Sequence, residues 1–226
     1  MINARQPTLV TYSLIAINLA IFALITINNP DTLRSTGIFR SPGELGQDDL
    51  GLARAFLVDG QWYRMVTSGF LHFGVIHLAF NMLLLFQLGQ LLEPAVGRVR
   101  FLLLYFASML AGSAGAMLLQ PDAFHGGASG AVFGLMGAAA VAMHRRGVNI
   151  FSTGLGTTLL LNLILTFSIS GISIGGHLGG VIGGTAAGWF MLTPNWRSTP
   201  EWASYVAPVA VGAISVLATW LVVQAA

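Results

Sequence analysis

Cysteine and lysine are both missing from this chain of 226 residues, and charged residues make up only 8% of it. Without cysteine, disulfides, thiolate metal sites and cysteine nucleophiles are all excluded. The ten basic residues are all arginines and are scattered along the chain, which argues against a nucleic-acid surface. Soluble domains carry charge at about a quarter of their positions. The scarcity of charge therefore indicates a membrane protein.

Long apolar runs are present instead, since 55% of the residues are hydrophobic. About 20 apolar residues in a helix cross the hydrocarbon core of a bilayer. The first run is too long for a secretory signal and lacks its cleavage site, so we expect it to be retained. The fold class is an all-α polytopic membrane protein, with one membrane domain over residues 1–226. The predicted transmembrane helices are seven: 8–28, 71–92, 99–119, 128–146, 150–168, 175–193 and 203–225.

The arginines indicate how these helices are oriented, because cytoplasmic loops carry an excess of them. With a cytoplasmic N-terminus, the short external connections near 120–125 and 168–175 hold none. The long connection 28–70 would be external and structured, and acidic residues balance its four arginines. We therefore expect the N-terminus inside and the C-terminus outside. The arginines then assigned to the cytoplasm are Arg5, Arg98, Arg100, Arg145, Arg146 and Arg197.

Polar residues stand at the beginnings of the second, fourth and sixth helices, which this orientation brings to the outer face. The second contains "HFGVIHLAFN", with His77 and Asn81 four apart and so on one helical face. The fourth opens with "HGGASGAVFG", which carries Ser129, and the sixth with "GGHLGG", which carries His177. Unrelated structural residues have no reason to share one depth. Their coincidence predicts a functional site near the outer surface.

Each of these residues also has a structural interpretation. A serine in a membrane helix commonly bonds a carbonyl one turn back, and Asn81 could join two helices by a hydrogen bond. Small residues at every fourth position could serve helix packing alone. However, Ser129 adjoins one such stripe and His177 the other, so close packing would bring hydroxyl and imidazole together. The stripes are Gly126, Gly130, Gly134 and Ala138 in the fourth helix, and Gly176, Gly180, Gly184 and Gly188 in the sixth.

The chemistry that this set favours is nucleophilic catalysis. A serine hydroxyl needs a base to take its proton, and imidazole is the common one. Glu93 and Asp122 are predicted at other places, so a Ser129–His177 dyad is favoured over a triad. The first-turn amides of the fourth helix, with His77 and Asn81, could bind an oxyanion. Phe133, one turn after Ser129, either packs on the imidazole ring or faces lipid.

Metal binding explains the histidines less well. His72 and His77 are five residues apart and should diverge along a helix, and no HExxH pattern occurs. We expect neither a metal nor a cofactor.

These motifs together resemble the rhomboid intramembrane serine proteases over about residues 60–190. The matching pieces are "GASG", "HLAFN", "GGHLGG" and, in the long loop, "QWYR". Their order along the chain is that of the family. Glycine–serine patterns alone would be weak, because soluble hydrolases also use them. The resemblance implies a six-helix core over 8–193, including the external loop 28–70, with 203–225 as an added seventh helix.

The resemblance also implies a role for each matching residue. Ser129 would be the nucleophile and His177 its base, while His77, Asn81 and the amides of Ala128 and Ser129 would bind the oxyanion. Phe133 stands where some members have tyrosine. The remaining positions are expected to give structural support: Trp62, Arg64, Gly127, Gly130, Phe133, Gly176 and Gly180.

The implied substrates are single-span membrane proteins in lipid, cut near their outer end at a small residue beside helix-weakening residues. A helix hides its carbonyls, so its bonds become available only where it unwinds. The implied location is a bacterial plasma (inner) membrane, with the site open to the external or periplasmic side. Two other classes remain: an inactive relative that binds clients without cutting them, and a transporter with broken helices, which predicts polar residues at mid-membrane.

Overall fold

The structure is a computed structural model that describes residues 7–28, 49–168, 172–192 and 200–225, without the side chains of 165 and 166. These residues form nine α-helices and one isolated β-bridge. The two short helices lie in the connection after α1, and the seven long ones correspond to the seven predicted spans. The bounds are α1 Leu9–Asn28, α2 Arg54–Val58, α3 Arg64–Thr67, α4 Val75–Val96, α5 Arg98–Leu119, α6 Ser129–Arg145, α7 Leu155–Ser168, α8 Ile174–Met191 and α9 Ala203–Gln224.

Among the described residues, four helices are long and apolar enough to cross a membrane: α1, α4, α5 and α9. Helices α6 and α7 are shorter than these four, and the many glycines of α8 lower its mean hydropathy. The prediction of an all-α polytopic membrane fold is confirmed. The orientation and the domain limits stay predictions. Several residues on which they depended, namely Arg5, Arg197 and residues 29–48 of the long loop, lie outside the described residues.

Two predicted helix starts are wrong by several residues. Helix α4 begins at Val75 instead of residue 71, because Leu71 is extended and Gly74, just before the helix, is also extended. The helix then runs through Pro94 to Val96. The predicted span 150–168 is divided in two. A 3₁₀ turn at Ile150–Ser152 comes first, and Gly154, with φ of +75°, separates it from α7.

The centre of the molecule is formed by α5, α6 and α8. The stripes of α6 and α8 face each other: a methyl group on Gly180 would collide with the Gly130 carbonyl, and one on Gly184 with the backbone of Gly134. Gly126, assigned to the α6 stripe, lies instead in the loop ahead of that helix. Backbones approach this closely only where side chains are absent.

Helix α8 has a second glycine face, which the sequence reasoning missed. A Cβ on Gly179 would stand 3.0 Å from the Cα of Gly115 in α5. A Cβ on Gly175 would stand 2.7 Å from the carbonyl carbon of the same Gly115. Helix α8 therefore packs closely between two helices, α6 on one side and α5 on the other. This fixes its position along both.

At the far end of α4, Glu93 is buried and holds the beginning of α1. Its carboxylate accepts the backbone N–H groups of Val10 at 3.0 Å and Thr11 at 2.8 Å, and the Thr11 hydroxyl at 2.7 Å. The first amides of a helix lack intrahelical acceptors, and the helix dipole favours an anion there. Glu93 thus caps a helix that lies more than 80 positions away in the sequence.

Candidate active site

Ser129 is the first residue of α6 and follows a strained loop. Gly127 has φ of +124°, a conformation that L-residues rarely adopt, and its N–H donates to the Ser68 carbonyl at 2.8 Å. Ala128 is fully buried. Glycine is required at 127 on two grounds, since a Cβ there would also stand 2.8 Å from Nε2 of His77.

The loop ahead of Ser129 is tied to the connection that precedes α4. Leu52 and His125 exchange two backbone hydrogen bonds, of 2.9 and 2.8 Å, as an isolated antiparallel bridge. The Arg54 amide donates to the Pro121 carbonyl at 2.9 Å, and its guanidinium pairs with Asp122 at 2.7 Å. Together with the hydrogen bond from Gly127 to Ser68, these contacts hold the backbone ahead of Ser129 in place.

His177 lies in the first turn of α8. Ser173 stands just before this helix, and its side chain accepts the Gly176 N–H at 3.1 Å. The ring of His177 stacks on Phe133 of α6, with centroids 4.0 Å apart and planes inclined by 18°. Of the two interpretations of Phe133, the structure therefore favours the packing partner over the lipid-facing aromatic. Phe133 stands one turn after Ser129.

Three glycines from three helices meet beside Ser129. A Cβ on Gly112 of α5 would stand 3.0 Å from the Gly130 Cα and 3.0 Å from the Gly176 carbonyl. Ser129 and Ser173 both line a small cavity of about 40 Å³ at this point, which has room for water. The glycines thus bring the beginnings of α6 and α8 together, and with them the serine and the histidine.

His77 and Asn81 lie on the first turns of α4, across the Gly127 loop from α6. The point where a Cβ would stand on Gly127 is 2.8 Å from Nε2 of His77 and 3.7 Å from Oγ of Ser129. Asn81 is buried and uses Nδ2 to donate to the His77 carbonyl at 2.9 Å. An amide nitrogen has two N–H groups, and the described residues supply an acceptor for one of them. The three helix beginnings form what we call the Ser129 end of the bundle.

The expectation that His72 and His77 diverge along one helix is wrong. His72 precedes α4, in a non-helical segment, and its ring lies 5.1 Å from that of His77 between centroids. Its Nε2 accepts the Ala128 N–H at 3.5 Å. Leu71 and Phe73, on either side of it, join one apolar cluster, and the alternation in "LHFG" was the signal in the sequence for a non-helical segment.

The two acidic residues that the sequence offers as a possible third member of the site are engaged elsewhere. Glu93 caps α1, and Asp122 pairs with Arg54. The described residues contain no group of three or more potential metal ligands among His, Asp and Glu.

Trp62 and Arg64 make packing and hydrogen-bond contacts that are typical of structural residues. The Arg64 guanidinium is buried, donates to the side chain of Gln61 at 2.7 Å and to the Gly51 carbonyl at 2.8 Å, and lies 3.8 Å above the ring of Phe56. Trp62 packs on an apolar cluster that also contains Val223 of α9. Arg64 therefore organises the segment that carries Leu52, and the last helix supports it.

A family model described as "Rhomboid domain" matches residues 59–194. The rhomboid protease GluP of Bacillus subtilis is 34% identical over 79% of this chain, and that stretch is 34% of GluP. The putative rhomboid protease YdcA of the same organism is 36% identical over 57% of the chain and 66% of YdcA. Rhomboid-like protease 3 of Toxoplasma gondii is 33% identical over 56% of the chain and 50% of that protein. The chain thus spans about one third to two thirds of these relatives.

Proposed function

This chain belongs to the rhomboid family, and from that premise we propose that it is an intramembrane serine endopeptidase that uses a Ser129–His177 dyad. The observation that carries the proposal is the meeting of α6 and α8 through glycine at the first turns that bear these two residues. The stacking of His177 on Phe133 supports it, because a ring fixed by packing needs no carboxylate to orient it.

The proposed reaction begins when an imidazole nitrogen of His177 takes the proton of the Ser129 hydroxyl. The oxygen attacks the scissile carbonyl carbon and forms a tetrahedral oxyanion. Collapse of this intermediate breaks the C–N bond, and the proton passes from His177 to the departing amine. Water then attacks the acyl-enzyme, with His177 again as base, and releases the carboxylic acid and the free serine.

The oxyanion would lie in the space over Gly127, between Ser129 and His77. His77 would donate from Nε2. Its Nδ1 is buried and has no hydrogen-bond partner in the described structure, so a proton on Nε2 leaves only a lone pair unsatisfied. The second N–H of Asn81 and the Ser129 amide complete the set. The Ala128 amide, predicted as a further donor, donates to Nε2 of His72.

The proposed substrates are membrane proteins with a single span, cut near its outer end at a small residue. Glycine or proline nearby would unwind the helix and expose the bond. We place the site on the external side of a bacterial plasma membrane, with a cytoplasmic N-terminus. A periplasmic reporter fused after Ala226 should be active, and an inactive one would reverse this orientation.

The decisive experiment compares purified wild-type protein with Ser129→Ala in detergent, using a model transmembrane substrate. We expect wild-type cleavage, located by the masses of the fragments, and complete loss in the variant. Ser215→Ala is the matched control, because it removes a buried hydroxyl that bonds only the Val211 carbonyl of its own helix. A fluorophosphonate should label Ser129.

Cleavage that survives Ser129→Ala would refute the nucleophile. Binding of the substrate by wild-type protein without cleavage or labelling would identify an inactive, client-binding relative.

A further inference from the structure

His72 is a fully buried polar residue at the Ser129 end with no part in the proposed reaction. It stands in the non-helical segment 71–74, between the 3₁₀ turn Ser68–Phe70 and α4. Its neighbours Leu71 and Phe73 pack in an apolar cluster with Ile25 of α1. Burial of an imidazole is costly unless its polar atoms find partners. Its contacts therefore need an explanation beyond packing.

The first of these contacts is with the loop that carries the nucleophile. Nε2 of His72 accepts the N–H of Ala128 at 3.5 Å. The preceding amide, that of Gly127, donates to the Ser68 carbonyl at 2.8 Å. Two consecutive peptide groups ahead of Ser129 are thus held by acceptors from one short segment, which ends where α4 begins. The orientation of these peptides decides where the Ser129 amide points.

The second contact is with His77. The His77 ring is stacked on Phe73, with centroids 5.8 Å apart at 18°, while the His72 ring lies 5.1 Å away at 59°. His77 therefore lies beside two aromatic rings of the same segment. His72 thus contacts both His77, the proposed donor of α4, and the Ala128 amide one residue ahead of Ser129.

His72 must be neutral to accept a hydrogen bond at Nε2. Burial and the nearby His77 ring lower the pKa of His72 to about 3, against the opposing effect of the Phe70 carbonyl. The ring is then neutral at physiological pH, with its proton on Nδ1. No partner of ordinary hydrogen-bond geometry faces Nδ1 in the described structure. The hydrogen bond that Nε2 accepts from the Ala128 N–H is thus the polar interaction that this residue makes.

We propose that His72 is a positioning residue that sets the oxyanion pocket, by holding the Ala128 peptide from one side and the His77 ring from the other. This inference rests on the proposed function. It assigns to His72 no contact with substrate. Its consequence is that loss of His72 slows the chemical step while substrate binding is unaffected, because only the developing oxyanion depends on the alignment of these donors.

The test compares His72→Leu, which removes the acceptor, with His72→Gln, whose side-chain oxygen can stand near the position of Nε2. We expect kcat to fall about 10-fold to 100-fold in the leucine variant, as for a small misplacement of catalytic groups, with KM within about twofold. Glutamine should restore kcat to within about fivefold. Labelling of Ser129 by a fluorophosphonate should slow in parallel. His144→Leu, at an exposed histidine of the opposite end of α6, should change nothing.

Unchanged kcat in His72→Leu would overturn the proposal. So would equal losses in both variants that follow an equal fall in Tm, because His72 would then serve the fold alone. Wild-type protein that neither cleaves nor is labelled would instead refute the proposed function itself, and the two failures are distinguishable.

Discussion

The two ends of helix α4 carry polar groups of opposite character. At its far end Glu93 is fully engaged, since its carboxylate accepts three hydrogen bonds from the beginning of α1. At the Ser129 end, Asn81 uses one N–H on its own helix, and Nε2 of His77 faces the space over Gly127. Satisfied polar groups stabilise a fold. Donors with spare hydrogen-bonding capacity beside Ser129 are what the proposed oxyanion requires.

The largest effect is expected from Asn81→Ala, which removes a donor at the Ser129 end. If the oxyanion accepts the second N–H of Asn81, kcat should fall about 100-fold to 1,000-fold with a smaller change in KM. Steady-state cleavage of a transmembrane substrate measures both constants. An unchanged kcat would mean that His77 and the backbone amides suffice, and the contrast between the two ends of α4 would then rest on His77 alone.

A smaller effect is expected from Gly127→Ala, which narrows the space between the two donor groups. The added methyl would stand 2.8 Å from Nε2 of His77 at a backbone φ of +124°, so kcat should fall on the order of 10-fold to 100-fold. Gly147→Ala is the matched control: its φ is +71°, but nothing lies within 4 Å of the added methyl. If both variants lost stability and activity alike, backbone strain alone would explain the result.

The smallest effect on catalysis is expected from Glu93→Gln at the far end. An amide cannot accept all three hydrogen bonds, so the protein should be destabilised by about 1–3 kcal/mol, seen as a lower Tm in detergent. We expect kcat of the remaining folded protein to be unchanged. Glu201→Gln, at an exposed carboxylate, should leave both quantities as they are. A large loss of kcat at constant Tm in Glu93→Gln would abolish the distinction between the two ends.

Hydrophobic run length predicted the helices well, because a bilayer imposes it directly on the sequence. The helix ends were less predictable. Gly74 and Gly154 set the beginnings of α4 and α7 through local backbone geometry that apolar counts do not register. The glycine stripe of α8 toward α6 was visible as a repeat of four. Its second stripe, toward α5, was hidden because Gly175, Gly179 and Gly183 fall between the members of the first.

The residues of the candidate site were predictable from motifs, whereas their supports were not. Ser129, His177, His77 and Asn81 follow from residue type and shared depth. The Leu52–His125 bridge and the capping of α1 by Glu93 join positions more than 70 apart, and no period or spacing in the sequence marks such pairs. The sequence suggests no role for His72 beyond that of a metal ligand, because the apolar run around it predicts a helix.

The bridge between Leu52 and His125 connects the loop ahead of Ser129 to a segment outside the candidate active site. Residues 49–58 precede α4, yet through Leu52 and Arg54 they bind the backbone four to eight residues before Ser129, the proposed nucleophile. An antibody fragment or cyclic peptide that displaced residues 49–58 would loosen the backbone that positions Ser129. It would do so without contacting Ser129 or His177. Inhibition of that kind would be non-competitive, and it would be relieved when the segment was released.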